Sequence, residues 1–427
     1  MQDRNNNLFF NTLDRSSFKK STLIFYFLWP IAGLYLALSN YRNEWSKNIF
    51  WLFCIFFGYC FIIGGTNSTD SYYYAQVFSQ YTNSKLSLKE LLSSFYSESS
   101  NYVDMASPLI TFLVAQITNN PRILFVVFGL IFGYFYSRNI WLVLDHIEGN
   151  LSKVVLIFIF AFSLLNPIWN INGFRMWTAA HLFLFGTLPF LLEGNKKRLY
   201  WSVVSVFFHF SFMAPVAILF LFIFLRNRLN IYMGFFVLTI FIKELDLNVV
   251  RSALSFLPDV FQSRVSGYTN LDYAETIKMM GQSLNWYITV SANVIQWISY
   301  LFALFIYLFC RQVLKSRSDL LTLFCFSIFL FGFANIASQM PAGGRFIMVA
   351  NMFMFSFLAI FISTFPRIKY LPLVNTISIP FLLLFIAVSV REGMDFFGLT
   401  TIIGNPFTVV FYSDSVPFIT GIKELLP

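Results

Sequence analysis

Apolar runs of about 17–25 residues recur from Ser21 to Val390, and each is long enough to cross a roughly 30 Å hydrocarbon core as a helix. The runs are continuous rather than alternating, which excludes a transmembrane barrel. Composition agrees: the chain is 57% hydrophobic, 20% aromatic and 11% charged, whereas a soluble domain carries roughly a quarter of its residues charged. The expected fold is an all-α polytopic integral membrane protein.

Spans are expected at about 23–39, 48–64, 121–143, 153–169, 176–192, 199–212, 213–225, 231–243, 291–310, 319–337, 346–364 and 371–390, about twelve crossings in all. The letters at 199–225 fit two short helices or one long tilted one. The apolar piece 108–118, about eleven residues, is too short to cross as a helix and reads as interfacial or re-entrant. A polar tail, 1–22, precedes one transmembrane domain, 23–390, and a second tail, 391–427, follows it. Neither a fixed-period repeat nor a soluble domain stands out.

The net charge of +9 raises nucleic acid as a partner, but the basic residues lie in short loops rather than in one stripe, so none is expected. The loops EGNKKRLY, RNRLN, CRQVLKSRS and FPRIKY all fall on one side of this span count, which the positive-inside rule makes cytoplasmic. Segments 65–107, 170–175, 244–290, 338–345 and 391–427 then share the outer side, with short amphipathic helices expected in 244–290. Arg4, Arg15, Lys19 and Lys20 object, because the same count puts them outside too. The four cysteines, Cys54, Cys60, Cys310 and Cys325, sit in apolar spans without a C-x-x-C pair, and the chain has three histidines. Neither a disulfide framework nor a metal site is expected. The first residues lack the basic-then-apolar pattern of a cleavable signal.

Four outer segments each offer an unusual polar residue: Asp70, Arg175, Arg264 and Arg345. Arg175 follows Asn166, Asn170, Asn172 and Gly173 where one apolar run gives way to the next; a snorkelling arginine is its structural alternative. Arg345 follows Pro341, Gly343 and Gly344 and precedes an apolar run, on the side where the charge rule disfavours arginine. A guanidinium there can fork onto phosphate oxygens. Asp70 stands in a Thr/Asn/Ser/Tyr-rich stretch where a turn or helix cap is the structural alternative. His209 lies deep in an aromatic setting beside Ser211, where a buried histidine is more often structural than catalytic. His181 and His146 have weaker claims. The chain has no P-loop, no D-x-D pair, no H-E-x-x-H and no G-x-S-x-G. An enzyme of this kind would use a pre-activated substrate, with no nucleotide, metal or other cofactor.

Three stretches, TDSYYYAQVF after the second span, NINGFRMWTAAHLFLF, and RLYWSVVSVFFHFSFMAPVAIL, together resemble the EpsG-like branch of the Wzy-type repeat-unit polymerases of O-antigen and exopolysaccharide synthesis. Their order and spacing match over about residues 20–225, with GGRFIMVANMF a looser fourth; Met176 stands where the family usually has glutamine. The resemblance implies a fold related to the GT-C membrane glycosyltransferases, in the bacterial inner membrane. It also implies a polyprenyl-diphosphate-linked oligosaccharide as substrate, with membrane lipids and a chain-length regulator as partners. On that reading Arg175, Arg345 and Arg264 neutralise the diphosphate, Asp70 or His209 takes the hydroxyl proton, and Tyr73, Asn172 and Tyr268 touch substrate. An O-antigen ligase would share this architecture, and a non-catalytic flippase would instead carry its charges inside several mid-membrane spans.

Overall fold

Helices account for nearly all the regular structure, as apolar runs must when no water is available to satisfy the backbone. The computed structural model describes residues 18–64, 69–84, 87–95, 104–256, 285–412 and 414–425, with positions 262, 266, 267, 269, 270, 276 and 279. The N-terminal third contains α1 (residues 18–28), α2 (Pro30–Ser39), α3 (Ser46–Cys60), α4 (Asp70–Ser84), α5 (Leu88–Phe95) and α6 (Ala106–Ala115). The middle contains α7 (Pro121–Asp145), α8 (Lys153–Leu165), α9 (Phe174–Glu193), α10 (Leu199–Phe208), α11 (Met213–Leu225), α12 (Leu229–Ile240) and α13 (Leu247–Ala253). The last part contains α14 (Trp286–Phe309), α15 (Arg311–Lys315), α16 (Ser318–Ala337), α17 (Arg345–Thr364), α18 (Leu371–Gly393), α19 (Leu399–Ile403) and α20 (Phe418–Leu425).

Six stretches among the described residues are long and apolar enough to cross a membrane, against the twelve crossings expected. One of them, Lys153–Glu193, is two helices, α8 and α9, broken after Leu165 by the 3-10 turn Ile168–Gly173. Shorter apolar helices fill the other expected positions. The ambiguity at 199–225 resolves into two helices, α10 and α11, parted by the 3-10 turn Phe210–Phe212. The short piece near 108–118 is a ten-residue helix, α6, about 15 Å long at 1.5 Å per residue and half a hydrocarbon core. Residues 1–17, Arg264 and Tyr268 lie outside the described residues.

Local sequence explains the helix ends. Asn120 accepts from the Arg122 amide at 3.0 Å ahead of Pro121, which fits the first turn of α7. Gly194, at φ 69°, ends α9 in the left-handed conformation that glycine adopts without a Cβ penalty. The core is phenylalanine packed on phenylalanine, with α16 and α17 at its centre: 78% and 83% of their apolar windows are buried, against 44% and 39% for the peripheral α14 and α18.

Side-chain contacts sort the loops to two ends. At one, Arg317 pairs with Glu148 at 2.9 Å, the Ser363 hydroxyl donates to the Glu148 carbonyl, Asn227 donates to Thr322, and His146 stands 3.6 Å from Glu193. These contacts gather the basic loops that the sequence groups together. The other end holds α4, the 166–175 turn, α6 and the C-terminal tail, where Phe61 and Phe397 form an isolated antiparallel bridge and Phe418 donates to the Phe397 carbonyl. Phe27 stacks on Phe407 of that tail at 5.8 Å. Thus the C-terminal end of α1 also meets the non-basic end.

Candidate functional site

The break between α8 and α9 exposes backbone groups that a continuous helix would satisfy, and a buried amide network takes them up. Asn166 donates to the Trp177 carbonyl at 2.9 Å and accepts from Asn170 at 3.0 Å. The Asn139 amide contacts the His181 Nδ1 at 3.2 Å, while His181 Nε2 faces the Asn166 carbonyl at 2.9 Å. An amide nitrogen can only donate and a carbonyl only accept, so His181 is the neutral Nε2-protonated tautomer. Its ring is buried and staples the break.

Arg175 emerges from this turn in the first turn of α9. A cation there opposes the helix dipole, and α9 has no acidic residue in its first turn to offset it. Compensation comes from elsewhere in the chain. Nη1 donates to Asp104 Oδ2 at 3.1 Å, and Nε donates to the Tyr74 hydroxyl at 3.3 Å. The side chain remains 28% exposed while that of Asp104 is 5% exposed, and Nη2 donates to no described residue. Two of the guanidinium nitrogens are therefore held, and Nη2 keeps its N–H groups without a partner among the described residues. Burial pushes the Tyr74 phenol up, with Arg175 pulling it down, so at neutral pH it is an uncharged acceptor.

Asp104 was not anticipated from the sequence. It is 4% exposed, and its second oxygen accepts from the Phe210 amide at 2.8 Å. One carboxylate thus joins the start of α9 to the turn after α10. His209 caps that turn in an extended conformation, is buried, and holds Ser211 Oγ at 2.7 Å from its Nδ1. Non-helical backbone at such a place is tolerated where protein satisfies it, as Asp104 does here.

Asp70 is the first residue of α4. The Asn172 side chain accepts from the neighbouring Ser71 amide at 3.2 Å, which docks α4 onto the 166–173 turn. Asp70 Oδ2 lies 3.5 Å from where a Cβ on Gly173 would stand, which puts the carboxylate beside the Arg175 turn. Asp70 is exposed and has no hydrogen-bond or ion-pair partner among the described residues. Its position also suits a helix N-terminus, so the electrostatic role proposed for a cap remains. Tyr73 is 46% exposed, its ring 6.2 Å from that of Tyr74.

Arg345 opens α17, exposed and without a side-chain partner among the described residues. The preceding turn is tight: a Cβ on Gly343 would fall 1.7 Å from the Ala337 carbonyl oxygen. Next in sequence, Phe346 packs on Phe212 at 6.3 Å, and Phe212 on Phe183 of α9 at 5.9 Å. The 209–212 turn therefore packs against both arginine-bearing helices. Each of the two helix N-termini carries an arginine and no acid in its first turn, so each attracts anions. No group of three or more His, Cys, Asp or Glu placed to hold a metal occurs among the described residues.

Neither the curated proteins nor the solved structures contain a match to this chain. A comparison with protein families matches residues 49–400 to the EpsG family. That stretch contains α4, Asp104, both arginine turns and His209, and it covers well over half of the sequence. This multi-pass helical membrane protein belongs to the EpsG family.

Proposed function

We propose that the chain polymerises polyprenyl-diphosphate-linked oligosaccharide repeat units on the outer face of the bacterial inner membrane. Family membership over residues 49–400 carries this reading, and the unpartnered Nη2 of Arg175 supports a mechanism. A hydroxyl oxygen of one lipid-linked unit attacks the anomeric carbon of another. The bond from that carbon to the diphosphate breaks, and its electron pair leaves with polyprenyl diphosphate. Arg175 Nη2 and the Arg345 guanidinium meet the charge developing on the leaving group, with Arg264 assisting from the 244–290 segment. The proton passes to Asp70, whose carboxylate is exposed and unpaired; His209, buried against Ser211, orders the turn. Tyr73, Asn172 and Tyr268 flank the glycans. The donor arrives activated, so the protein supplies positioning and electrostatics, without metal or nucleotide.

About twelve crossings in a GT-C-like arrangement complete the proposal. On this count α2, α10, α11 and α12 cross together with neighbours that bury their short ends, and the basic end faces the cytoplasm. Asn83→Cys and Lys197→Cys, both at exposed positions, serve as probes of this topology. An impermeant thiol reagent should label the first from outside and not the second; the reverse pattern inverts the topology.

Deletion of the gene in its host, followed by analysis of glycan length, tests the reading. A single-repeat product supports a polymerase. Missing surface glycan with long lipid-linked chains points to a ligase, missing glycan with repeat units trapped inside the cell points to a flippase, and an unchanged ladder removes the proposal.

A further inference from the structure

We infer that Asp104 is a positioning residue, which holds Arg175 and the 209–212 turn in one arrangement so that Nη2, without a partner among the described residues, meets the leaving group. The inference rests on the polymerase reading and adds to it a residue and a constraint. Both carboxylate oxygens are committed, Oδ2 to Arg175 Nη1 at 3.1 Å and Oδ1 to the Phe210 amide at 2.8 Å. These donors belong to different segments, the first turn of α9 and the 3-10 turn after α10. A carboxylate this buried is costly unless both oxygens are satisfied, and here each has its donor. The Tyr74 hydroxyl takes Nε, so two of the three guanidinium nitrogens are fixed before any ligand binds. An arginine otherwise loses rotamer freedom on being ordered; these contacts order it in advance, which favours a fast chemical step.

The same carboxylate places the turn. Phe212 of that turn touches Phe346, the neighbour of Arg345, so a shift of Asp104 would move both cationic helix ends relative to each other. Asp104 is therefore predicted to act through Arg175 rather than by touching substrate.

A double-mutant cycle in the complemented deletion strain separates positioning from mere support of the fold. Asp104→Asn, Arg175→Lys and the double variant are compared for polymer output at matched amounts of folded protein. Each single change should lower output about tenfold or more, and the double should be no worse than the poorer single, because Asp104 has nothing left to aim. Asp104→Glu should recover part of the loss. Phe210→Pro is the second variant: His209 is already extended, as a residue before proline prefers, so proline removes the amide donor with little change of backbone. It should lower output and leave Arg175→Lys no worse. Wild-type output from folded Asp104→Asn, or losses that multiply in the double variant, overturns the inference. If Asp104→Asn does not fold, multiplying losses for Phe210→Pro with Arg175→Lys overturn it in the same way. A deletion strain that keeps its normal ladder removes the polymerase reading and this role together; a short-chain deletion with active Asp104→Asn removes only the role.

Discussion

Arg175 and Arg345 each stand at the start of a 20-residue helix, yet their surroundings differ in kind. Arg175 is gripped by Asp104 and Tyr74 and mostly buried; Arg345 is exposed and unpartnered among the described residues. On the proposed mechanism the first is set before substrate arrives, and the second is free to swing onto it. A fixed donor lowers the barrier without reorganisation, whereas a free one is ordered by what it binds and contributes less. Exposed pairs at the basic end make the contrast sharper: Arg317 with Glu148 leaves side chains 37% and 58% exposed, a geometry worth about 0–1 kcal/mol. Burial of the Arg175 pair, not the mere count of ion pairs, marks the site.

The contrast predicts unequal losses. Arg175→Ala should reduce polymer output by about 100-fold to 1,000-fold. It should also destabilise the protein by about 3 kcal/mol, because Asp104 is left buried without its cation; thermal unfolding in detergent reads the second effect. An alanine variant with a wild-type melting curve would mean that Asp104 has another partner. Asp70→Asn comes next, with a loss of about 100-fold from removal of a general base and little change in stability at an exposed position. His209→Gln should cost less than Asp70→Asn in extension assays across pH 6–9, and a dead His209→Gln beside an active Asp70→Asn reverses the assignment.

Smaller effects separate the two arginines further. Arg345→Ala should lose about tenfold in output with a stability change within about 0.5 kcal/mol, as for a surface residue without partners. Equal stability losses at both arginines would erase the comparison. Tyr74→Phe removes one neutral acceptor, worth about 0.5–1.5 kcal/mol, and should lower output only a few-fold. Because burial keeps the phenol protonated well above neutral pH, the Tyr74 contribution should not change between pH 6 and 9.

Much of the scaffold was legible because apolar length and helix form are tightly linked in a membrane. The break at 166–173 was visible too, in three asparagines and a glycine between two apolar runs. Crossing number was less so: α10 and α11 fall below the length rule, and a turn carried by His209 and Phe210 is inconspicuous among phenylalanines. Asp104 was missed for a physical reason. In sequence it is one more acid in the polar segment 65–107, and only folding shows that it is buried. One signal was available: an arginine expected near a span end needs a carboxylate, and Asp104 immediately precedes the apolar piece at 108–118. Ser71 behaves alike, a polar residue in the same polar stretch that packs fully inside. Asp70, Arg175 and Arg345 came from different parts of the chain, and what the letters did not reveal was that one arginine is held and the other open.

The central claim is that transfer from a diphosphate carrier is driven by a held arginine and a free one, without metal. Purified protein incubated with lipid-linked repeat units extracted from the deletion strain, in the presence of EDTA, tests it directly. The account predicts a ladder of extended lipid-linked chains with the wild type, almost none with Arg175→Ala, and a ladder shortened by Arg345→Ala. Full extension by both alanine variants, or extension that stops with EDTA and returns with a divalent cation, would contradict it.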